Sequence, residues 1–122
     1  MTQEDKELLL QDLCSRLPYG VKGVEANTLC SLNTVTRFKS IVKNIEYKIE
    51  HLGFKPYLFP LSSMTEEQSM EFALLQVNTH KDGFLYVCDC ANMMKWLLKN
   101  HFDYRGLIEK GLAVNATGLN IY

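Results

Sequence analysis

Leu9, Leu10, Leu13, Cys14 and Leu17 fall at positions i, i+1, i+4, i+5 and i+8, a spacing that draws one apolar stripe along a helix. This predicts a helix over 3–16, and Glu4, Asp5 and Glu7 near its start suit the positive end of the helix dipole. Pro18 cannot continue it, and Gly20 releases the chain into a turn. After Val21 the period shortens. Segments 21–24, 28–32, 38–42 and 45–50 read as short strands, and the last alternates apolar with polar residues. They predict an antiparallel meander with one wet face, turned at Asn27, Asn33 and Lys43-Asn44, because asparagine tolerates the left-handed backbone of tight hairpins.

Segment 55–61 is held extended by Pro56 and Pro60, which bias Lys55 and Phe59 away from helical dihedrals. A second helix then starts at a capping box, Ser63 with Glu66 or Thr65 with Gln68, ahead of the apolar spacing Met70, Ala73, Leu74, Val77. Asp82-Gly83 marks a turn, and 84–88 is apolar throughout, which predicts a buried strand. Asp89 reads as the N-cap of a third helix whose stripe is Cys90, Met93, Met94, Leu97, Leu98 and His101, with Asn92, Lys95 and Lys99 opposite. An exit turn over 103–108 and a glycine-punctuated tail with a short strand close the chain. The expected fold is α+β: a small, bent antiparallel sheet packed with the N-terminal helix and two further helices, a closed barrel-like meander being its sharper form.

Composition narrows the class without naming a function. The 122 residues, 47% hydrophobic and 22% charged, contain no repeat, low-complexity tract or linker, so one domain over 1–122 is expected. A chain of this size buries roughly two-thirds of its unfolded surface, enough for a core without metal or disulfide staples. No apolar run approaches the ~18 residues of a membrane span, and the acidic start is unlike a secretory signal, so a cytoplasmic protein without membrane contact is expected. Thirteen basic and fourteen acidic side chains give a net charge of −1, far from the basic balance of tight non-specific nucleic-acid binders. Cys14, Cys30, Cys88 and Cys90 are then expected as reduced thiols.

Candidate chemistry is sparse. Cys88 and Cys90 with His80 and His101 invite a zinc site, but one intervening residue is not the usual knuckle spacing, so buried inert cysteines and no metal are expected. His101, Asp103, Tyr104 and Arg105 form the densest functional cluster. A histidine beside a carboxylate suits acid–base work, and an arginine can hold a carboxylate or phosphate. The competing reading is structural: His101 caps a helix end, while Asp103 and Arg105 pair with each other or with backbone. Arg37, Lys39 and Lys43 recur at even spacing, with Lys48 and Lys55 nearby and Phe38, Tyr47 and Tyr57 interleaved, as a single-strand nucleic-acid platform requires. A solvated outer strand face explains the same lysines without a partner. The P-loop, the G-x-S-x-G elbow, H-E-x-x-H and G-x-G-x-x-G are absent, and no cofactor is expected.

Two blocks, KPYLFPLSSMTEE over 55–67 and NHFDYRGLIEKGLA over 100–113, with the LPYGV start at 17–21, resemble a family of short uncharacterised proteins of gut bacteria and their phages and mobile elements. The resemblance implies a small intracellular accessory protein of prophage or mobile-element origin, and no activity, cofactor or catalytic residue. Three readings follow. The first is a non-enzymatic interaction or adaptor domain presenting Lys55, Tyr57, His101, Asp103, Tyr104 and Arg105 to an unidentified protein partner. The second is a nucleic-acid-binding accessory using Arg37, Lys39, Lys43 and Lys48. The third is a small hydrolase built on His101 and Asp103. Whether the chain forms a homo-oligomer is left open by the sequence.

Overall fold

The computed structural model describes residues 1–32, 41–79 and 87–122. Helix α1 (Gln3–Arg16) opens with a reciprocal capping box: the Thr2 hydroxyl accepts from the Asp5 N–H at 3.1 Å, and the Asp5 carboxylate accepts from the Thr2 N–H at 3.4 Å. A single 3₁₀ turn through Pro18 ends at Gly20, whose φ of 74° is the left-handed conformation glycine supplies without strain. Strands β1 (Lys22–Glu25) and β2 (Thr28–Ser31) form the expected hairpin, and both residues of its two-residue loop, Ala26 and Asn27, take positive φ.

The next expected strands are corrected in part. Residues 33–40, including Arg37, Lys39 and the Asn33 turn, lie outside the described residues, but Ile41–Leu52 is a helix, α2, so 45–50 is no strand and Lys43-Asn44 no turn. Ile45 and Ile49 satisfy a period of two and an i, i+4 helical step equally well. Tyr47 decides between them: a strand would put it beside the two isoleucines, whereas here both are buried and Tyr47 is 42% exposed. Strand β3 (Lys55–Pro60) is the expected extended segment, and α3 (Glu66–Thr79) uses the second of the two capping boxes: Gln68 N–H to Thr65 Oγ1 at 3.1 Å and Thr65 N–H to Gln68 Oε1 at 3.0 Å. Ser63 donates instead to Pro60 O at 2.7 Å.

Helix α4 (Val87–Lys99) already includes Val87 and Cys88, so these two are helical rather than strand and Asp89 lies within the helix; 84–86 and the Asp82-Gly83 turn lie outside the described residues. Strands β4 (Phe102–Asp103) and β5 (Val114–Asn115) complete an open, mixed sheet. Strand β3 is its hub, antiparallel to β1 and parallel to both β4 and β5. The expectation of an all-antiparallel, barrel-like meander is corrected: parallel pairing needs a crossover, and α3–α4 supplies it between β3 and β4. The α+β class stands, with four helices among the described residues.

The core joins α1, α2, β3 and the loop before β5 through Leu9, Leu13, Val21, Ile45, Ile49, Phe54, Leu58 and Leu107. Gly23 passes directly over the Phe54 ring. A Cβ at position 23 would overlap that ring and lie 2.6 Å from Lys55 O, so only glycine fits the rung. No helix among the described residues is long and apolar enough to cross a membrane.

Candidate functional site

Parallel pairing of β3 with β4 sets Phe59 opposite Phe102 and Pro60 opposite Asp103, and the Phe59 N–H donates to His101 O at 2.9 Å. The two sequence blocks therefore meet. What they build at the junction is a turn anchor. The Asp103 carboxylate is buried and accepts three backbone N–H groups: Oδ1 from Arg105 at 3.2 Å and Leu107 at 3.0 Å, Oδ2 from Ile108 at 2.9 Å. Both oxygens are committed to organising the turn that crosses Gly106, at φ 73°.

Behind that turn lies a cluster centred on α1. Arg16 and Asp12 are fully buried; Arg16 Nε donates to Asp12 Oδ2 at 2.7 Å, and Nη2 donates to Phe102 O at 2.6 Å. Arg105 comes from the exit turn to place Nε 3.2 Å from Asp12 Oδ1, an ion pair by distance but not angled as a hydrogen bond. Both guanidiniums lie near the Tyr104 ring, Arg105 at 4.9 Å and Arg16 at 5.7 Å from its centroid. Arg105 thus pairs with Asp12, while Asp103 takes only its backbone N–H.

His101, at φ 62°, stacks on Tyr122 with ring centroids 3.5 Å apart and planes within 11°. The Tyr122 hydroxyl accepts from the Lys22 N–H at 2.9 Å and lies 2.9 Å from Tyr57 O. Continuing the β1–β3 register places Lys22 opposite Tyr57, so this hydroxyl occupies the next rung, where the ladder opens. Burial, with the positive charges of Arg16 and Lys22 adding to it, lowers the His101 pKa from 6.5 to about 4. His101 Nδ1 has no hydrogen-bond partner, and Asp103 has spent its oxygens elsewhere, so the two do not form an acid–base pair. The unfolded chain takes up this proton at higher pH than the folded one. Stability is therefore full above pH 6.5 and falls as pH drops towards about 4. A pH series of thermal midpoints is expected to show His101→Gln losing less over that window than the wild type.

The other predicted residues are dispersed. Lys55 and Tyr57 are half-buried on β3. Lys43 and Lys48 lie on α2 rather than on a strand face, and Lys48 Nζ is 3.0 Å from Glu25 Oε1. Cys14 and Cys30 are free thiols whose pKa is raised, chiefly by burial, which favours the protonated form. Cys88 and Cys90 belong to α4, His80 lies outside the described residues, and among the described residues no three His, Cys, Asp or Glu side chains gather as metal ligands.

The feature that the sequence reading missed is on α3 and α4. Met70 and Leu74, two members of the apolar spacing on α3, are 68% and 64% exposed. Beside them an open groove of about 450 Å³ is lined by Glu71, Leu74, Leu75, Trp96, Lys99 and Asn100. Trp96 is fixed in it: Phe72 and Phe102 stack against its ring at 5.3 and 5.6 Å, and its indole N–H donates to Glu71 Oε2 at 3.1 Å. Compared with protein-family models, curated proteins and solved structures, the chain matches none.

Proposed function

We propose that the chain is a non-enzymatic protein-interaction domain and that the α3–α4 hairpin is its docking face. The observation that carries this reading is the exposure of Met70 and Leu74 at an i, i+4 step beside the held indole of Trp96. Fully burying a leucine or methionine side chain is worth about 1.5–3 kcal/mol, gained only when a partner covers it. Methionine and tryptophan are favoured at interface centres, and a tryptophan already fixed by its neighbours costs little further ordering on binding. The groups that would support hydrolysis are, in contrast, tied into the fold. Of the residues named for the nucleic-acid alternative, Lys48 is paired with Glu25.

Affinity capture from a lysate of the source cell, with nuclease present, compares wild type with Leu74→Lys and Tyr57→Ala. Leu74→Lys is expected to lose the captured proteins by at least tenfold, while Tyr57→Ala keeps them. Unchanged capture by Leu74→Lys with loss in Tyr57→Ala overturns this face, and disappearance of all captured material on nuclease treatment supports the nucleic-acid alternative.

A further inference from the structure

Tyr122 is held as a bound ligand is held. Its hydroxyl accepts from the Lys22 N–H at 2.9 Å and donates to the Tyr57 carbonyl at 2.9 Å, with the Lys22 carbonyl at 3.2 Å as a second acceptor. Burial raises its pKa, so the oxygen keeps the proton that this donation needs. The ring lies flat on His101 with centroids 3.5 Å apart, Phe59 tilts against it at 6.1 Å, and the Lys22 ammonium stands 5.9 Å from its centre. The same ammonium donates to Ile121 O at 3.0 Å, the carbonyl of the peptide bond that leads into Tyr122. Hydroxyl, ring and preceding carbonyl therefore each have a partner on β1, on β3 or at His101. The segment that delivers them runs over the surface: Thr117, Gly118, Leu119 and Asn120 are exposed and belong to no helix or strand. Segments of that kind open at low free-energy cost.

We propose that this cleft between β1, β3 and His101 is a recognition site for a tyrosine residue in peptide linkage, that Tyr122 is its built-in occupant, and that a tyrosine of a partner peptide enters when residues 117–122 lift away. The specificity follows from the contacts. With a ring that lacks the hydroxyl, the Lys22 N–H and the Tyr57 carbonyl lose the group that bridges them where the ladder opens. A phenol without a preceding carbonyl forfeits the Lys22 ammonium. The built-in occupant lowers the apparent affinity for a partner in proportion to the fraction of chains that are open. The site uses none of the residues lining the α3–α4 groove, so it stands whether or not that groove docks a partner.

The test titrates the full chain with N-acetyltyrosinamide, whose acetyl carbonyl stands where the Ile121 carbonyl does, and follows the NMR amide signals of Lys22 and His101. Tyr122→Ala empties the cleft and is expected to bind the probe saturably. Tyr122→Phe keeps a competing ring without its hydroxyl and binds more weakly, and the wild type most weakly. On Tyr122→Ala, N-acetylphenylalaninamide is expected to bind roughly tenfold more weakly, the cost of one unpaired hydrogen-bonding group. Adding Lys22→Met to Tyr122→Ala weakens N-acetyltyrosinamide and leaves p-cresol, which has no carbonyl, unchanged. Equal affinity for the tyrosine and phenylalanine probes overturns the hydroxyl slot. Equal affinity of the wild type and the Tyr122 variants puts the probe elsewhere and overturns the site, as does a folded Tyr122→Ala that binds nothing. If Tyr122→Ala does not fold, Tyr122→Phe against the wild type decides: tighter binding by Tyr122→Phe supports the built-in occupant, and equal or weaker binding overturns it.

Discussion

Replacing Asp12 with alanine is expected to destabilise the fold by about 3–5 kcal/mol, the range for removing one partner of a buried ion pair. The reason lies in what remains. Arg16 is fully buried, and without Asp12 its guanidinium keeps one strong acceptor, the Phe102 carbonyl, while Nη1 already has none. Arg105 loses its carboxylate as well, so two positive charges are left around Tyr104 with nothing to balance them. For a chain of this length the loss corresponds to a fall of about 10–20 °C in thermal midpoint. Asp12→Leu combined with Arg16→Met removes both charges and is expected to recover much of the deficit, since a packed apolar pair often replaces a buried ion pair at little cost. Urea unfolding of the two single variants and the double variant measures this coupling. Additive losses would mean that the pair contributes nothing as a pair.

Asp103→Ala is expected to cost about 3–5 kcal/mol, through a different mechanism. The carboxylate satisfies the N–H groups of Arg105, Leu107 and Ile108, and a buried donor left unmade costs about 1–3 kcal/mol. Leu107 is fully buried in the core, so loosening its turn also loosens the packing against α1 and α2. Asp103→Asn keeps one acceptor oxygen and is expected to lose less than half as much. Amide exchange at 105, 107 and 108 reads the effect directly: protection at these three sites falls in Asp103→Ala before protection in α1 changes. If stability and exchange stay at wild-type values, Asp103 is free for other chemistry.

Local chemistry written in adjacent residues was readable in the sequence. The stop at Pro18, the Asn27 hairpin, the proline-held β3 and the capping of α3 each depend on a few neighbouring side chains. What the sequence reading missed depended on partners far along the chain. The stripe assigned to α1 was turned by one residue: the buried set is Leu9, Asp12, Leu13 and Arg16, an i, i+3, i+4, i+7 pattern that includes an acid and a base. An i, i+4 Asp–Arg pair between leucines was the signal available for it. That Arg16 reaches Phe102, 86 residues away, left no local trace. In α2 the isoleucines fitted strand and helix alike, and in α3 the apolar stripe carried no mark of which apolar residues would find cover. The cluster at 101–105 looked chemical because histidine, aspartate, tyrosine and arginine are the residues of active sites. The same donors and charges are what a short turn needs when it must be tied to a helix and a sheet at once.

Amide hydrogen exchange of the chain bound to its captured partner, against the free chain, tests the central claim most directly. The α3–α4 reading predicts slowed exchange over 66–75 and 91–100, with 55–60 and 101–109 unchanged. Slowing confined to 55–60 and 101–109, with α3 and α4 unaffected, would contradict it and return the interaction surface to the His101–Arg105 turn.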